Sequence, residues 1–366
     1  MTLGPVGGQL RIPRYSAIWI ATALLFAVSP LLASGSVSQS ALLSTLPFAA
    51  ILAIAAIGQT LVVQQRGFDL SVPGMITLTT IIVTSFSRGS DDRLWGALGL
   101  VAVACVASGL VSGLAITWLG VTPLVATLGV NALLTGVVLQ ITNGASTSSA
   151  PPGLARFAIA KVWGIPNTVI VAVIAVVGVA VVIRTTVIGR CFIFAGASPA
   201  AARAAGIRVK RVELVTYVLA SVSYGVAGIL IAGFLRTPGI GAGNDYLLPT
   251  IAAVVLGGTS LAGGLGSVVA TAVGAVFLTQ LGAVVLGMGA VPAAQLVIQG
   301  SIIALGMAVR NVPWRRMRAA LPSRVPHFGG SDDPSSAEDA RSTQPLLAAG
   351  RIDTQTTPTW GRGESR

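Results

Sequence analysis

Ten times between Tyr15 and Val309 the chain enters a stretch of apolar residues, most of them as long as a bilayer is thick. A helix rises about 1.5 Å per residue, so about 20 apolar residues cross the hydrocarbon layer. The ten runs are Tyr15–Leu32, Ala41–Val63, Leu70–Phe86, Leu94–Leu119, Leu124–Thr142, Val169–Val187, Leu214–Phe234, Tyr246–Val255, Val268–Leu286 and Ala293–Val309. Charge is withheld from the same region. Only 9% of the 366 residues are charged, and 14 of those 34 side chains fall in residues 313–366. A water-soluble domain carries about 25%, so this body lacks a polar skin and soluble cytoplasmic enzymes are excluded. The pattern predicts an all-α polytopic membrane protein: a cytoplasmic N-terminus at residues 1–14, a transmembrane body at 15–312 and a disordered cytoplasmic tail at 313–366.

Two of the ten runs are unusual. The third is short and flanked by glycine, and the eighth is shorter still unless it continues through Gly257–Gly264. Both are expected to be broken or re-entrant, a state tolerated only where protein or a water-filled cavity covers the backbone. Basic residues set the orientation, because Lys and Arg concentrate in cytoplasmic loops. Arg11 and Arg14 precede the first span. Counting through the spans then puts Arg66 inside, together with Arg184, Arg190, Arg203, Arg208, Lys210 and Arg211. Arg310, Arg315, Arg316 and Arg318 follow the last span. Ten spans with both termini cytoplasmic satisfy all of these positions.

Several chemistries lack their residues. The net charge of +12 is scattered between apolar runs and aromatics make up only 5%, so no nucleic-acid surface is indicated. The single histidine, His327, lies in the tail, and the two cysteines, Cys105 and Cys191, make no disulfide framework. Neither a metal site nor a cofactor site is expected. The phosphate-cradling pattern G-x-x-x-x-G-K-[ST] does not occur, nor does H-E-x-x-H or G-x-S-x-G. Before the tail there are five acidic residues: Asp69, Asp91, Asp92, Glu213 and Asp245. Ion-coupled carriers place ionisable groups within their spans, and only Asp69 qualifies. A subunit driven from elsewhere fits better than a carrier or passive channel, which is the competing class.

The longest polar stretch facing the cytoplasm between spans is Arg190–Glu213. Within it, Ser198 to Ala205 reads as a short helix, with Ser198 at the N-cap, Pro199 at the first helical position and Gly206 as the stop. Gly196, Ala201, Ala202 and Arg203 complete a small-faced segment suited to a cleft on another protein. An ordinary loop whose arginines only set topology has the same composition.

Pathway candidates are fewer. Asp69 with Ser71 is a gate residue or the cap of a helix start, the carboxylate accepting from the N–H of Ser71 or Val72. Gly257, Gly258, Thr259 and Ser260 open a segment with five glycines in ten residues, suited to close packing or a gate. Asn131, Gln140, Gln280, Gln295 and Gln299 are amides within apolar spans, able to bond a solute or a neighbouring helix. Gly109 and Gly113 have the spacing of a close helix contact, a pattern common in a chain with 44 glycines.

Three stretches together resemble one family. GQTLVVQQRGFDLSVPGM at Gly58–Met75 is similar to G-x-T-x-V…G-I-D-L-S-V-G. TPLVATLGVNALLTGVVLQITNG at Thr122–Gly144 is similar to P-F-I-A-T-L-G…R-G…T-N-G. The third, Gly189–Gly274, holds AAARAAGI and IAAVVLGGTSLAGGLGSVVATAVGA. The chain thereby resembles the membrane-spanning permease subunits of bacterial ABC importers of the ribose and simple-sugar type, a family related to the branched-chain amino-acid permeases. That resemblance implies ten spans, a second permease subunit, ATPase subunits that bind the ATP, and a solute-binding protein. It also implies that Gly196–Gly206 docks into the ATPase. Two departures stand out: Leu247-Leu248-Pro249-Thr250 replaces an acidic run, with the proline expected to redirect that helix start, and Pro73 stands where glycine is usual.

Overall fold

A computed structural model describes residues 15–145 and 148–311. The calls on Arg11, Arg14, Arg315, Arg316, Arg318, His327 and the 313–366 tail therefore lie outside the described residues. The helices are α1 (Ser16–Leu32), α2 (Gln39–Gln64), α3 (Val72–Ser87), α4 (Leu94–Thr117), α5 (Pro123–Thr142) and α6 (Pro152–Ile159). A hairpin of β1 (Lys161–Val162) and β2 (Ile165–Pro166) follows. Then come α7 (Asn167–Thr185), α8 (Val187–Ala197), α9 (Pro199–Ala204), α10 (Val209–Leu235), α11 (Leu247–Leu256), α12 (Val268–Gly287) and α13 (Pro292–Asn311). Each of the ten apolar runs holds one helix, and six of these are long and apolar enough to cross a membrane. The chain is a polytopic all-α membrane protein.

Burial divides the helices by depth. Almost every residue of α2 from Ala49 to Gln64 is buried, which makes it the centre of the bundle. It packs against α10 and α12, and α10 in turn packs against α3 and α4. Small residues permit this approach. A Cβ on Gly113 would lie 3.1 Å from the backbone of Leu214, and Gly109 faces the backbone of Val218. The Gly109–Gly113 pair is thus a true helix contact, not an accident of composition. In contrast, α5 and α7 bury only one edge each and turn leucine, valine and isoleucine outward, as lipid or another subunit requires.

The two unusual runs hold one short, continuous helix each, with the non-helical chain lying beside the helix and not within it. Between α2 and α3, residues 67–71 belong to no helix, so α3 has 16 residues, about 24 Å at 1.5 Å each. The ten residues of α11 reach about 15 Å, half the hydrocarbon layer, before the glycine-rich segment begins at Gly257. Pro249 does not redirect this helix. It occupies the first turn, where its missing N–H would have no intrahelical partner.

Three elements were not anticipated. α8 lies inside the supposed polar loop, and α6 with the β1–β2 hairpin fills the connection between α5 and α7. Trp163 and Gly164 form the hairpin's two-residue turn with φ of 50° and 80°, the primed geometry that suits strand twist. Asp91 fastens α6, its Oδ1 accepting from Gly153 N at 2.7 Å and its Oδ2 lying 3.6 Å from Arg156.

Candidate functional site

Ser198 leaves the helical region (φ −149°, ψ 90°), and its Oγ accepts from Ala201 N, which starts α9 with Pro199 behind it. At the other end Gly206 has φ +81°. Its N–H bonds Arg203 O at 3.0 Å, and Ile207 N bonds Ala202 O at 2.9 Å, the reciprocal pair that closes a helix at a left-handed glycine. A hydrophobic contact completes the closure, since Ala202 is buried with Ala195, Val209 and Ile207. This corrects one expectation. Ala202 is fully buried and cannot meet a partner, while Ala200, Ala201, Arg203, Ala204 and Gly206 are exposed. The surface offered by this hook is small-chained and rigid.

Behind the hook three segments converge. Arg66 ends α2 with φ 67°, and its Nε donates to Gly196 O at 2.9 Å while Nη2 donates to Ala197 O. A guanidinium thus satisfies the last carbonyls of α8 at the negative end of its dipole. Gln65 Nε2 adds a bond to Phe192 O at 2.8 Å. From the third side Gly264 N donates to Gln64 O at 2.8 Å, and a Cβ on Gly264 would lie 2.5 Å from Ala197. Gly196 is packed so closely against Gln64 O that no side chain fits. The sequence assigned Arg66 only a topological role; its place in a Gln-Gln-Arg-Gly turn gave no sign of its partners 130 residues away.

Asp69 lies in the non-helical segment that Arg66 begins. It is buried, and its Oδ1 accepts from Ser71 N at 2.9 Å and Ser71 Oγ at 2.6 Å. The phenols of Tyr217 and Tyr224 on α10 adjoin the carboxylate, and Tyr224 also donates to Gln59 Oε1 at 3.2 Å. α5 supplies the remaining acceptors. Thr127 Oγ1 takes Leu70 N at 3.0 Å, and Asn131 Oδ1 takes Gly74 N at 2.8 Å. Pro73 contributes no N–H, Asn131 holds the Gly74 N–H of the first turn of α3, and Thr127 and Asp69 hold the N–H groups of Leu70 and Ser71 just ahead of it. Asp69, Ser71 and Asn131 are therefore one cluster, and both readings of Asp69 meet in it.

Gly257, Gly258, Thr259 and Ser260 belong instead to the hook side. A Cβ on Gly257 would lie 2.7 Å from the backbone of Thr271, Gly258 adopts φ +78° beside Tyr15, Thr259 is buried, and Ser260 N bonds Leu265 O at 2.7 Å. The five amides separate by role. Gln280 Nε2 bonds Ser29 Oγ on α1 at 3.3 Å, Gln140 faces outward, and Gln295 and Gln299 line a cavity at the far end of the bundle.

Residues 41–307 match the family described as branched-chain amino acid transport system / permease component. The ribose import permease protein RbsC of Escherichia coli (strain K12) is 31% identical over 80% of this chain and 92% of its own length. The fructose import permease protein FruF of Bifidobacterium longum is 32% identical over 60% of this chain and 62% of its own. For the galactofuranose transporter permease protein YtfT of Escherichia coli (strain K12), the figures are 34%, 59% and 63%. No solved structure matches. A bundle built around α2, two short apolar helices and a capped hook between α8 and α10 thus accompanies a match over most of the body, and the chain belongs to the family of ABC transporter permease components.

Proposed function

We propose that this chain is the membrane-spanning subunit of a bacterial importer that moves a sugar or sugar-like solute across the cytoplasmic membrane. A solute-binding protein delivers the cargo from outside, a second permease subunit completes the pathway, and separate ATPase subunits bind the ATP. The chain itself performs no bond chemistry and needs no cofactor. Sugar as cargo is supported by the ribose, fructose and galactofuranose permeases among its relatives.

Ten spans with both termini cytoplasmic fit the placement of charge. Arg66, Arg184, Arg190, Arg203, Arg208, Lys210 and Arg211 border the hook end with Glu213, whereas Arg88, Asp91, Asp92, Arg93, Arg156, Lys161, Arg236 and Asp245 border the other, a smaller basic excess. α1 begins beside Gly258 at the hook end. α13 begins at the cavity end and, with 20 residues, runs about 30 Å back.

One observation carries the proposal: the exposed alanine face of α9 is joined through the Arg66 guanidinium to the segment holding Asp69. Two ATPase states that grip the hook differently would bias two positions of that segment, which is what coupling requires. Replacing Ala201 by Glu should release the ATPase from the purified complex and abolish uptake with the permease still folded. Ala202→Glu should instead unfold the corner by burying a charge. An Ala201→Glu complex that retains both its ATPase and its uptake would refute the coupling role.

A further inference from the structure

A cavity of about 610 Å³ opens at the end of the bundle remote from the hook. It draws on the first turns of α2, α11 and α13 and the last turns of α10 and α12. Ser44 and Gln64 mark the cavity and hook ends of α2, about 30 Å apart at 1.5 Å per residue. Beneath it the way inward is shut by Ile51, Ile231 and Leu278, each 2% exposed or less. The volume lies within the range of about 300–1,000 Å³ usual for small-molecule sites.

Its chemistry selects among ligands. Phe48 and Phe234 form an edge-to-face pair, centroids 5.0 Å apart at 74°, and Tyr246 adds a third ring. Opposite them α13 presents two amides. Gln295 lies against Gly282, leaving no room there for a Cβ. Gln299 is 3% exposed, and its Oε1 has no hydrogen-bond partner among the described residues. A buried amide oxygen without a donor is costly, and a ligand hydroxyl would relieve it. Among the described residues, Asp245 at the rim is the only acidic side chain lining the cavity, and no Lys or Arg lines it. A zwitterionic amino acid or a phosphate would therefore leave its anionic group unpaired. Aromatic rings take the C–H faces of a pyranose or furanose, and amides take its hydroxyls.

We infer that this cavity is a loading site for a neutral monosaccharide, held on the outer side of the permease by Gln295, Gln299 and the Phe48–Phe234 wall. The inference rests on the sugar-importer reading and adds to it a place and a set of contacts.

The test uses the full complex with its ATPase and binding protein in proteoliposomes, carrying Cys191→Ser and Thr279→Cys. The thiol at 279 lines the cavity and is reached from outside by a methanethiosulfonate ethyltrimethylammonium reagent. D-ribose, D-fructose, D-galactose and L-leucine are compared for uptake and for protection of that thiol. The transported sugar should slow modification at least tenfold and L-leucine should not. Gln299→Leu, and separately the less buried Gln295→Leu, should remove the protection while leaving the unprotected rate unchanged. A sugar that is taken up yet leaves the modification rate unchanged, or equal protection by L-leucine, overturns the loading site and leaves the importer reading standing. Uptake of none of the three sugars overturns both.

Discussion

A buried carboxylate in a membrane protein persists only when its oxygens are occupied, and Asp69 meets that demand with the N–H and Oγ of Ser71. Asn at this position keeps an acceptor in the same place, whereas Ala leaves Ser71 N without one. Asp69→Ala should therefore lower stability by about 1–3 kcal/mol and Asp69→Asn by much less. Thermal unfolding of the purified permease measures both. Uptake separates the second role: if the tyrosine side of the carboxylate matters for gating, Asp69→Asn should transport poorly while melting normally. The bond from Ser71 N to Asp69 was readable from Gly67-Phe68-Asp69-Leu70-Ser71 because it spans two residues, although the N-cap of α3 is Ser71 and not Asp69. Tyr217 and Tyr224 were not, since nothing in their own span marks which helix faces them.

Among the elements, the α8–α9 corner shows how far local pattern reaches. Ser198, Pro199 and Gly206 announced α9 within a residue of its observed limits, because caps and stops are chemical signals within four residues. α8 was overlooked because its sequence, VIGRCFIFAGA, carries apolar side chains into a stretch taken as a polar loop, and periodicity alone does not resolve so short a helix. The corner's support came from elsewhere in the chain. Arg66→Ala removes the donors to Gly196 O and Ala197 O, and Arg66→Lys restores the charge without the fork. Both variants should assemble with the ATPase, because the exposed face of α9 is untouched. ATP hydrolysis should continue in both while uptake per ATP falls severalfold, more in the alanine form. Equal coupling ratios in wild type and Arg66→Ala would remove the guanidinium from the transmission path.

At the scale of the molecule, the helices within the apolar runs were legible because lipid imposes a length and a polarity that few other environments do. The packing partners were not, since an apolar helix has no polar face to betray its orientation; α2 and α7 have similar compositions, yet one is central and the other peripheral. The sidedness can be checked directly. In a Cys191→Ser background, Trp163→Cys at the hairpin tip should react with an impermeant maleimide added outside intact cells. Ala204→Cys on the hook should react only after the membrane is opened. The reverse pattern would invert the topology.

The stretches around α3 and α11 are joined twice: Gln64 O at the end of α2 accepts from Gly264 N in the glycine-rich segment after α11, and Thr77 Oγ1 of α3 accepts from Gly243 N ahead of α11, at 2.8 and 3.0 Å. Neither can part from the rest of the bundle without pulling on its counterpart, so the barrier against protons and small ions behaves as a single zip rather than two separate flaps. Vesicles containing the resting permease should consequently hold a pH gradient as long as protein-free vesicles do. Cutting one tooth with Thr77→Val should make them leak.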